Sequence, residues 1–195
     1  MRKIILVLTL SAAGLFTTLS AQIQEGHWMV GGEFAAANFG LNSGAGFNLQ
    51  VTPQVAYFVQ DNWAVGPYIK LGVSGAKNVN TTFNYGIGAL SRYYFSRGGQ
   101  GVDGLLKRGS FFIEGNAGIG GTTTNGGGAS TNGLDLGIGP GYNYFITKDI
   151  GLDASLKLNN NLGFGNKTSN SDISFRLGLN IFLPTRKGLD NFKSE

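Results

Sequence analysis

The chain contains no cysteine, and it has little proline and little charge. Without cysteine among the 195 residues, disulfide bonds, thiol chemistry and a cysteine-linked lipid anchor are excluded. Proline occurs 4 times and glycine 33 times, without the three-residue glycine period of collagen. Beyond the first 21 residues, no apolar run approaches the roughly 18 residues that a membrane helix needs. The chain therefore has to fold without disulfides and without membrane helices.

The charged residues show no bias that would point to a charged partner. Without Arg2 and Lys3, 13 of the 15 basic residues remain, against 11 acidic residues. This balance gives no basic patch suited to nucleic acid. One histidine and no cysteine leave no cluster at the spacing of metal ligands. The glycine run GIGPGYN lies in a strand pattern, so it is not a phosphate loop. We expect no nucleic acid partner, no metal and no cofactor.

The first 21 residues have the pattern of a cleaved export signal. Arg2 and Lys3 form a basic start, and an apolar stretch at residues 4–10 follows. Small and hydroxyl residues then lead to Ala21, which predicts cleavage after that residue. An uncleaved N-terminal anchor helix is the alternative interpretation.

The remaining chain is predicted to form one domain at residues 22–183, followed by a short charged tail at 184–195. Within this domain, apolar and polar residues alternate with a period of two, which indicates β-strands with two unlike sides. The alternating segments lie at about 27–39, 46–59, 63–75, 81–96, 110–120, 133–147, 150–160 and 172–183. Most of them are longer than ordinary globular strands and long enough to cross a bilayer.

One side of every segment is apolar and carries no charge. In PQVAYFVQDNWAVGPYIKLGV, residues 53–73, the odd positions of both strands stay uncharged on either side of a turn at residues 60–62. The opposite side carries Glu33, Lys70, Arg92, Glu114, Asp135, Asp153, Lys157 and Arg176. On a side that faces water, about a quarter to a third of the residues are normally charged. This side has few charged residues and is rich in glycine and asparagine. We therefore expect the apolar side to face lipid and the eight charged side chains to form an ion-pair network in a lumen.

A sheet in hydrocarbon has to close on itself, because unpaired strand edges cannot lie in lipid. The predicted fold is all-β: a closed eight-stranded antiparallel up-and-down transmembrane β-barrel, whose interior side chains can fill. Both termini should then lie on the periplasmic side. Outward aromatic residues near that end predict an aromatic girdle made of Trp28, Tyr57, Trp63, Tyr93, Phe95 and Tyr144.

Three prolines conflict with simple strands. Pro53, Pro67 and Pro140 all fall inside predicted strands, and each of them removes a hydrogen bond from the ladder. A closed barrel has no free edge at which a proline is harmless. The sequence therefore predicts bulges or interior water at these three positions.

The signal, the eight-segment alternation, YFVQDNWAVG at 57–66 and DISFRLGLNIFL at 172–183 together resemble the small outer-membrane β-barrel domain family. This family includes barrels of the OmpA, OmpX and opacity-protein type. The resemblance implies a Gram-negative outer membrane, contact with its lipid and lipopolysaccharide, and insertion by the barrel-assembly machinery. The family often ends its last strand and its chain on an aromatic residue, whereas here PTRKGLDNFKSE follows Leu183.

Three functions are compatible with this pattern. We expect a monomeric, non-enzymatic envelope protein with a structural role or a surface-binding role through outer loops such as GTTTNGGGAST. A narrow, porin-like channel for small solutes or ions is the alternative, if ion pairs in the lumen exchange partners. Enzymes among such barrels place a histidine, a serine and an acid near the outer rim, but His27 is predicted at the opposite rim. Asp135 and Asp153 could serve as acid and base, although cationic partners favour a structural network.

Overall fold

The structure is a computed structural model, and it describes residues 23–36, 47–76, 79–95, 109–125, 131–164 and 169–184. The predicted export signal at residues 1–21 and the tail after Pro184 lie outside these ranges. Within them, no helix is long and apolar enough to cross a membrane.

Eight strands form one closed antiparallel sheet, with each strand paired to its neighbours in sequence. They are β1 (His27–Ala36), β2 (Phe47–Gln60), β3 (Trp63–Ala76), β4 (Val79–Tyr94), β5 (Gly109–Thr124), β6 (Thr131–Phe145), β7 (Ile150–Gly163) and β8 (Asn170–Pro184). Pairing of β1 with β8, from His27 opposite Pro184 onward, closes the barrel. The predicted fold class is confirmed. We name the end that holds His27 and Pro184 the terminal end, and the opposite end the distal end.

The two sides of the sheet differ as the alternation predicts. Large apolar side chains point outward, and many of them are about half exposed, such as Ile87 at 56% and Ile119 at 58%. Charged side chains point inward, and Arg92 has no exposed surface at all. An apolar outer surface that covers a whole barrel is far larger than the patches that water-soluble monomers expose. The outward side is therefore suited to hydrocarbon.

Six of the strands, β3 to β8, extend farther toward the distal end than the alternation indicates. β5 continues to Thr124 and β6 begins at Thr131, so the predicted loop at residues 121–131 contributes several residues to strands. The physical reason is pairing between β4 and β5, which continues to Thr82 opposite Thr124, where the two Oγ atoms lie 3.2 Å apart. Threonine suits a strand without contributing to an apolar side, so the alternation ends before the strand does.

The three prolines do not produce bulges, so the prediction of bulges is wrong, whereas interior water at these positions stays a prediction. The β2–β3 ladder keeps one register on both sides of Pro53 and Pro67, and Gln54 still pairs with Tyr68 between them. The β6–β7 ladder likewise keeps its register past Pro140. Each proline remains paired with the strand on its other side.

The physical reason is the direction of the backbone groups, since in an antiparallel sheet the N–H and C=O of one residue point toward the same neighbouring strand. Loss of one N–H therefore weakens one ladder without requiring an extra residue.

The terminal end is closed by the segment that precedes β1. The carbonyl of Ile23 accepts a hydrogen bond from the amide of Asn62 at 2.8 Å, and the amide of Gly26 donates to the carbonyl of Phe58 at 3.0 Å. Asn62 has a φ of 67° in the turn between β2 and β3, a left-handed conformation that asparagine tolerates well. The side chain of Ile23 packs against the buried apolar cluster inside the barrel. The segment thus lies across the lumen entrance.

Candidate functional site

The interior contains six of the eight predicted charged residues in one cluster, which we call the ion-pair layer: Glu33, Arg92, Glu114, Asp153, Lys157 and Arg176. Arg92 is its centre. Its guanidinium contacts Glu114 at 2.6 Å and Glu33 at 3.3 Å, and it also binds Asp153. All four side chains are at most 2% exposed. One arginine on β4 thus connects carboxylates from β1, β5 and β7.

The other two cations of the ion-pair layer complete its charge balance. Lys157 lies 2.5 Å from a Glu114 oxygen and 4.0 Å from Glu33. Arg176 contacts the same Glu33 carboxylate at 3.1 Å. Three acids and three bases therefore neutralise one another, which is what burial away from water requires.

Lys70 and Asp135 form a separate ion pair on the distal side of the lumen. The hydroxyl of Tyr68 donates to Asp135 at 2.8 Å, and the amide of Asn116 donates to the Tyr68 oxygen at 3.2 Å. Among the described residues, no ion pair joins this pair to the ion-pair layer. The predicted single network of eight charges is thus a cluster of six and a pair of two.

Neutral amides that the sequence analysis did not select support the charged groups. Asp153 accepts hydrogen bonds from the side-chain amides of Asn143 and Asn180. Arg176 donates to the Asn159 oxygen at 2.6 Å, and the Asn159 amide donates to Ser174 at 2.9 Å. The frequent asparagine residues on the charged side of the strands were the sequence signal that could have indicated these supporting amides.

Toward the terminal end, five aromatic rings fill the lumen, and we call them the aromatic plug. The plug consists of Phe58, Tyr94, Phe112, Phe145 and Phe182, each at most 3% exposed. Neighbouring ring centroids lie 5.2–6.2 Å apart, within the range of favourable aromatic pairs. The guanidinium of Arg92 lies 4.2 Å from the centroid of the Phe112 ring, a distance suited to a cation–π contact. The plug and the ion-pair layer therefore pack directly against each other.

The alternation alone does not indicate the aromatic plug as a unit. The predicted girdle contains the first aromatic residue of each pair near the strand ends, whereas the plug contains the second one in Tyr57-Phe58, Tyr93-Tyr94 and Tyr144-Phe145. Because side chains alternate across a strand, two adjacent aromatic residues place one ring on each side.

The six residues of the predicted girdle lie on the outward side at the terminal end. Trp28, Trp63, Tyr93 and Phe95 are each at least 40% exposed. The rings of Trp28 and Tyr57 lie 5.0 Å apart, and Tyr144 is half-buried. The indole nitrogen of Trp63 donates to the Ser91 hydroxyl at 2.8 Å. That these rings mark a periplasmic interface stays a prediction.

A polar cavity of about 640 Å³ occupies the distal part of the lumen, and we call it the vestibule. Lys70 and Asp135 line its inner part, and Asp172 lies on its wall. Its neutral polar lining residues on the inward side are Asn48, Gln50, Ser74, Asn84, Thr122, Thr131, Asn159, Asn161 and Ser174. The lumen therefore changes from aromatic at the terminal end, through ionic, to neutral and polar at the distal end.

The residues considered for acid–base chemistry lie apart. His27 is buried at the terminal end, where its Nδ1 lies 3.2 Å from the carbonyl oxygen of Gln24. Asp153 belongs to the ion-pair layer, and Asp135 belongs to the pair at the vestibule. In the part of the chain that the structure describes, no three His, Cys, Asp or Glu side chains are placed to hold a metal ion.

Glycines on the inward side make room for large neighbours, and this gives a testable pair of substitutions on β5. A Cβ added to Gly118 would lie 2.4 Å from the carbonyl oxygen of Ile87 and 2.7 Å from the Tyr68 hydroxyl. A Cβ added to Gly115 would meet nothing closer than 3.8 Å. We expect Gly118→Ala to lower the free energy of unfolding by about 1–3 kcal/mol, as overpacked sites do. Gly115→Ala, on the outward side of the same strand, is the control for the substitution itself and should change the free energy of unfolding little.

Urea unfolding of both variants in phospholipid vesicles, followed by tryptophan fluorescence, measures this difference. Equal stability of the Gly118 and Gly115 variants would contradict the close packing around Tyr68.

Comparison with known proteins supports the fold. No protein-family model and no curated protein matches the chain. Among solved structures, Neisserial surface protein A (NspA) is similar, with a TM-score of 0.56 and 17% identity over 80% of this chain and 95% of that chain. The N-terminal β-barrel domain of Pseudomonas aeruginosa OprF has a TM-score of 0.47 and 14% identity, covering 82% of this chain and 98% of that one. The outer membrane enzyme PagL has a TM-score of 0.44 and 15% identity, covering 78% and 98%.

The likeness to NspA concerns the fold, since the identity is low. This likeness agrees with the closed sheet and with the apolar outward side of the barrel. All three observations agree with an outer-membrane location. The chain therefore has the fold of the eight-stranded outer-membrane β-barrels that its sequence resembles.

Proposed function

We propose that this outer-membrane barrel is non-enzymatic and has a structural or surface-binding role in the cell envelope. The observation that carries the proposal is the filled interior. Six charged side chains neutralise one another in the ion-pair layer, and five aromatic rings close the lumen beneath it. Such an interior stabilises a scaffold whose outer surface and distal end remain available for contacts.

The partners follow from the same surfaces. The outward apolar side suits membrane lipid and the acyl chains of lipopolysaccharide. A closed sheet leaves no strand edge for pairing with a second copy, which favours a monomer in the mature state. Insertion of such a sheet would require the barrel-assembly machinery, because edges are exposed until the barrel closes.

The arrangement of polar residues favours a non-enzymatic role over a hydrolytic one. His27 is the sole histidine of the chain, and it lies at the terminal end, whereas the vestibule lies at the distal end. Asp135 is paired with Lys70, and Asp153 is paired with Arg92. A carboxylate held in an ion pair is a weak base for a bound substrate, because protonation would leave its partner uncompensated.

The alternative is a narrow channel, and the aromatic plug argues against it. We expect the purified protein to give no steady unit conductance in planar lipid bilayers, because a solute would have to displace both the ion-pair layer and the aromatic plug. An open porin measured in the same bilayers is the positive control. Reproducible unit conductance steps from the purified barrel would establish the channel and remove the scaffold proposal.

A further inference from the structure

The vestibule is a polar cavity inside the part of the barrel that the structure describes, and the proposed scaffold role does not use it. Its volume of about 640 Å³ falls within the range of roughly 300–1,000 Å³ typical of sites for small ligands. It is closed below by the ion-pair layer and the aromatic plug, so that a molecule in it has to enter and leave at the distal end. The vestibule is thus open at the distal end and closed toward the terminal end, a shape that suits binding rather than passage.

Lys70 and Asp135 neutralise each other in the vestibule, whereas Asp172 has no cationic partner among the described residues. Lys70 binds Asp135, which also accepts the Tyr68 hydroxyl at 2.8 Å. One oxygen of Asp172 accepts a hydrogen bond from the Asn159 amide at 2.8 Å. An anionic ligand would be repelled by Asp172, and it could reach Lys70 only by breaking the contact of Lys70 with Asp135. Apart from Ala35, the remaining inward lining among the described residues consists of amides and hydroxyls, so an apolar ligand would leave those polar groups without partners.

Part of the lining is fixed, and part is open for hydrogen bonding. Asn159 is held by Arg176 at 2.6 Å, by Ser174 at 2.9 Å and by Asp172. In contrast, Asn48, Ser74, Asn84 and Asn161 make no side-chain hydrogen bond to any other residue that the structure describes. Asparagine amides offer one acceptor and two donors on a flat group, and serine offers both. This is the complement of a ligand with several neighbouring hydroxyls.

We propose that the vestibule binds a neutral saccharide unit through these amides and hydroxyls. The proposal deepens the surface-binding role proposed above and rests on it. A sugar hydroxyl both donates and accepts, and it can therefore satisfy an asparagine amide without introducing a charge. The position of the lining residues on strands adds affinity, because their backbone is already ordered before the ligand binds.

The test is a titration of the full mature barrel, refolded in dodecylphosphocholine micelles, which contain no sugar headgroup. Glucose and maltose are the neutral ligands, and glucuronate and glucosamine are their charged counterparts. Solution NMR follows the side-chain NH₂ resonances of Asn84 and Asn161 as the ligand is added. We expect saturable shifts in the millimolar range with the neutral sugars and weaker binding of glucuronate, which Asp172 repels; glucosamine can pair with Asp172 and measures the contribution of that carboxylate.

Variants of the lining decide whether the vestibule itself binds. Asn84→Leu and Asn161→Leu should each raise the Kd about tenfold, the loss expected for one or two hydrogen bonds. Asn160→Leu is the matched control, since Asn160 precedes the lining residue Asn161 and faces the opposite side of β7. Its binding should equal that of the unsubstituted barrel. If an asparagine variant fails the heat-induced gel shift of the folded barrel, Ser74→Ala replaces it.

Two results would overturn the proposal: no saturable shift with either neutral sugar, or equal affinity in the lining variants and the control. Sugar flux into vesicles that contain the barrel is measured in parallel. Binding together with flux would keep the vestibule site but remove the non-conducting scaffold. Absence of both would remove the vestibule site and leave the scaffold proposal intact.

Discussion

Replacing Arg92 with methionine should lower the free energy of unfolding by about 3–5 kcal/mol, the usual cost of removing one partner from a buried ion pair. The loss falls on one carboxylate in particular. Glu114 keeps Lys157 at 2.5 Å, and Glu33 keeps Arg176 at 3.1 Å. Asp153 keeps only two amide donors, from Asn143 and Asn180. An uncompensated charge would thus remain in the closed lumen.

This uneven loss makes a rescue possible. The double variant Arg92→Met/Asp153→Asn leaves two acids and two bases in the ion-pair layer, and we expect it to recover a substantial part of the lost stability. Lys148→Met is the control for loss of a cation, because Lys148 lies in an exposed turn, 3.8 Å from Asp149, with 76% of its side chain exposed. Exposed pairs of this kind contribute about 0–1 kcal/mol.

Urea unfolding in phospholipid vesicles, with the heat-induced gel shift as a second readout, measures all three variants. A double variant that is less stable than Arg92→Met would contradict the assignment of the loss to Asp153. An Arg92→Met barrel as stable as the Lys148→Met barrel would show that the ion-pair layer does not stabilise the fold.

Replacing Ile87 with arginine should lower the free energy of unfolding by about 2–4 kcal/mol, the cost of a cation on the lipid side near the middle of a membrane. Ile87 is central in β4 and lies opposite Ile69 and Ile119 in a row of outward isoleucines. It is 56% exposed in the isolated barrel. If water covered this surface, the same substitution would change stability by no more than about 0.5 kcal/mol. The experiment therefore identifies the medium outside the barrel.

The matched control is Ile173→Arg. Ile173 is also outward and is 69% exposed, but it lies close to the distal end of β8. Near the membrane interface the cost of arginine falls to about 0–1 kcal/mol. Both variants are unfolded in vesicles of the same lipid. Equal stability of the Ile87→Arg and Ile173→Arg barrels would argue against a lipid-embedded middle.

Much of the fold could be predicted from the sequence, because alternation is a local property. The uncharged side of residues 53–73 and the inward position of Arg92 both follow from counting residues along a strand. Strand ends were less accurate at the distal end, where Thr124 extends β5 through pairing with β4. The effect of Pro53 was also mispredicted, since a missing N–H was expected to disturb the register of the strand.

The candidate site was predictable only in part. The sequence selects eight inward charges, but it does not say that Arg92 on β4 meets Asp153 on β7, or that Lys70 pairs with Asp135 away from the others. The aromatic plug was missed for the same reason, because Phe58, Phe145 and Phe182 come from three separate strands.

The sequence by itself determined the two sides of each strand and the need for closure, since these depend on a period of two and on the cost of unpaired edges in lipid. Only the tertiary structure decided which inward side chains meet. Contacts across the lumen join strands that are not neighbours in the sheet, and their geometry depends on how the barrel closes. Closure also stacks the aromatic plug, the ion-pair layer and the vestibule in that order from the terminal to the distal end.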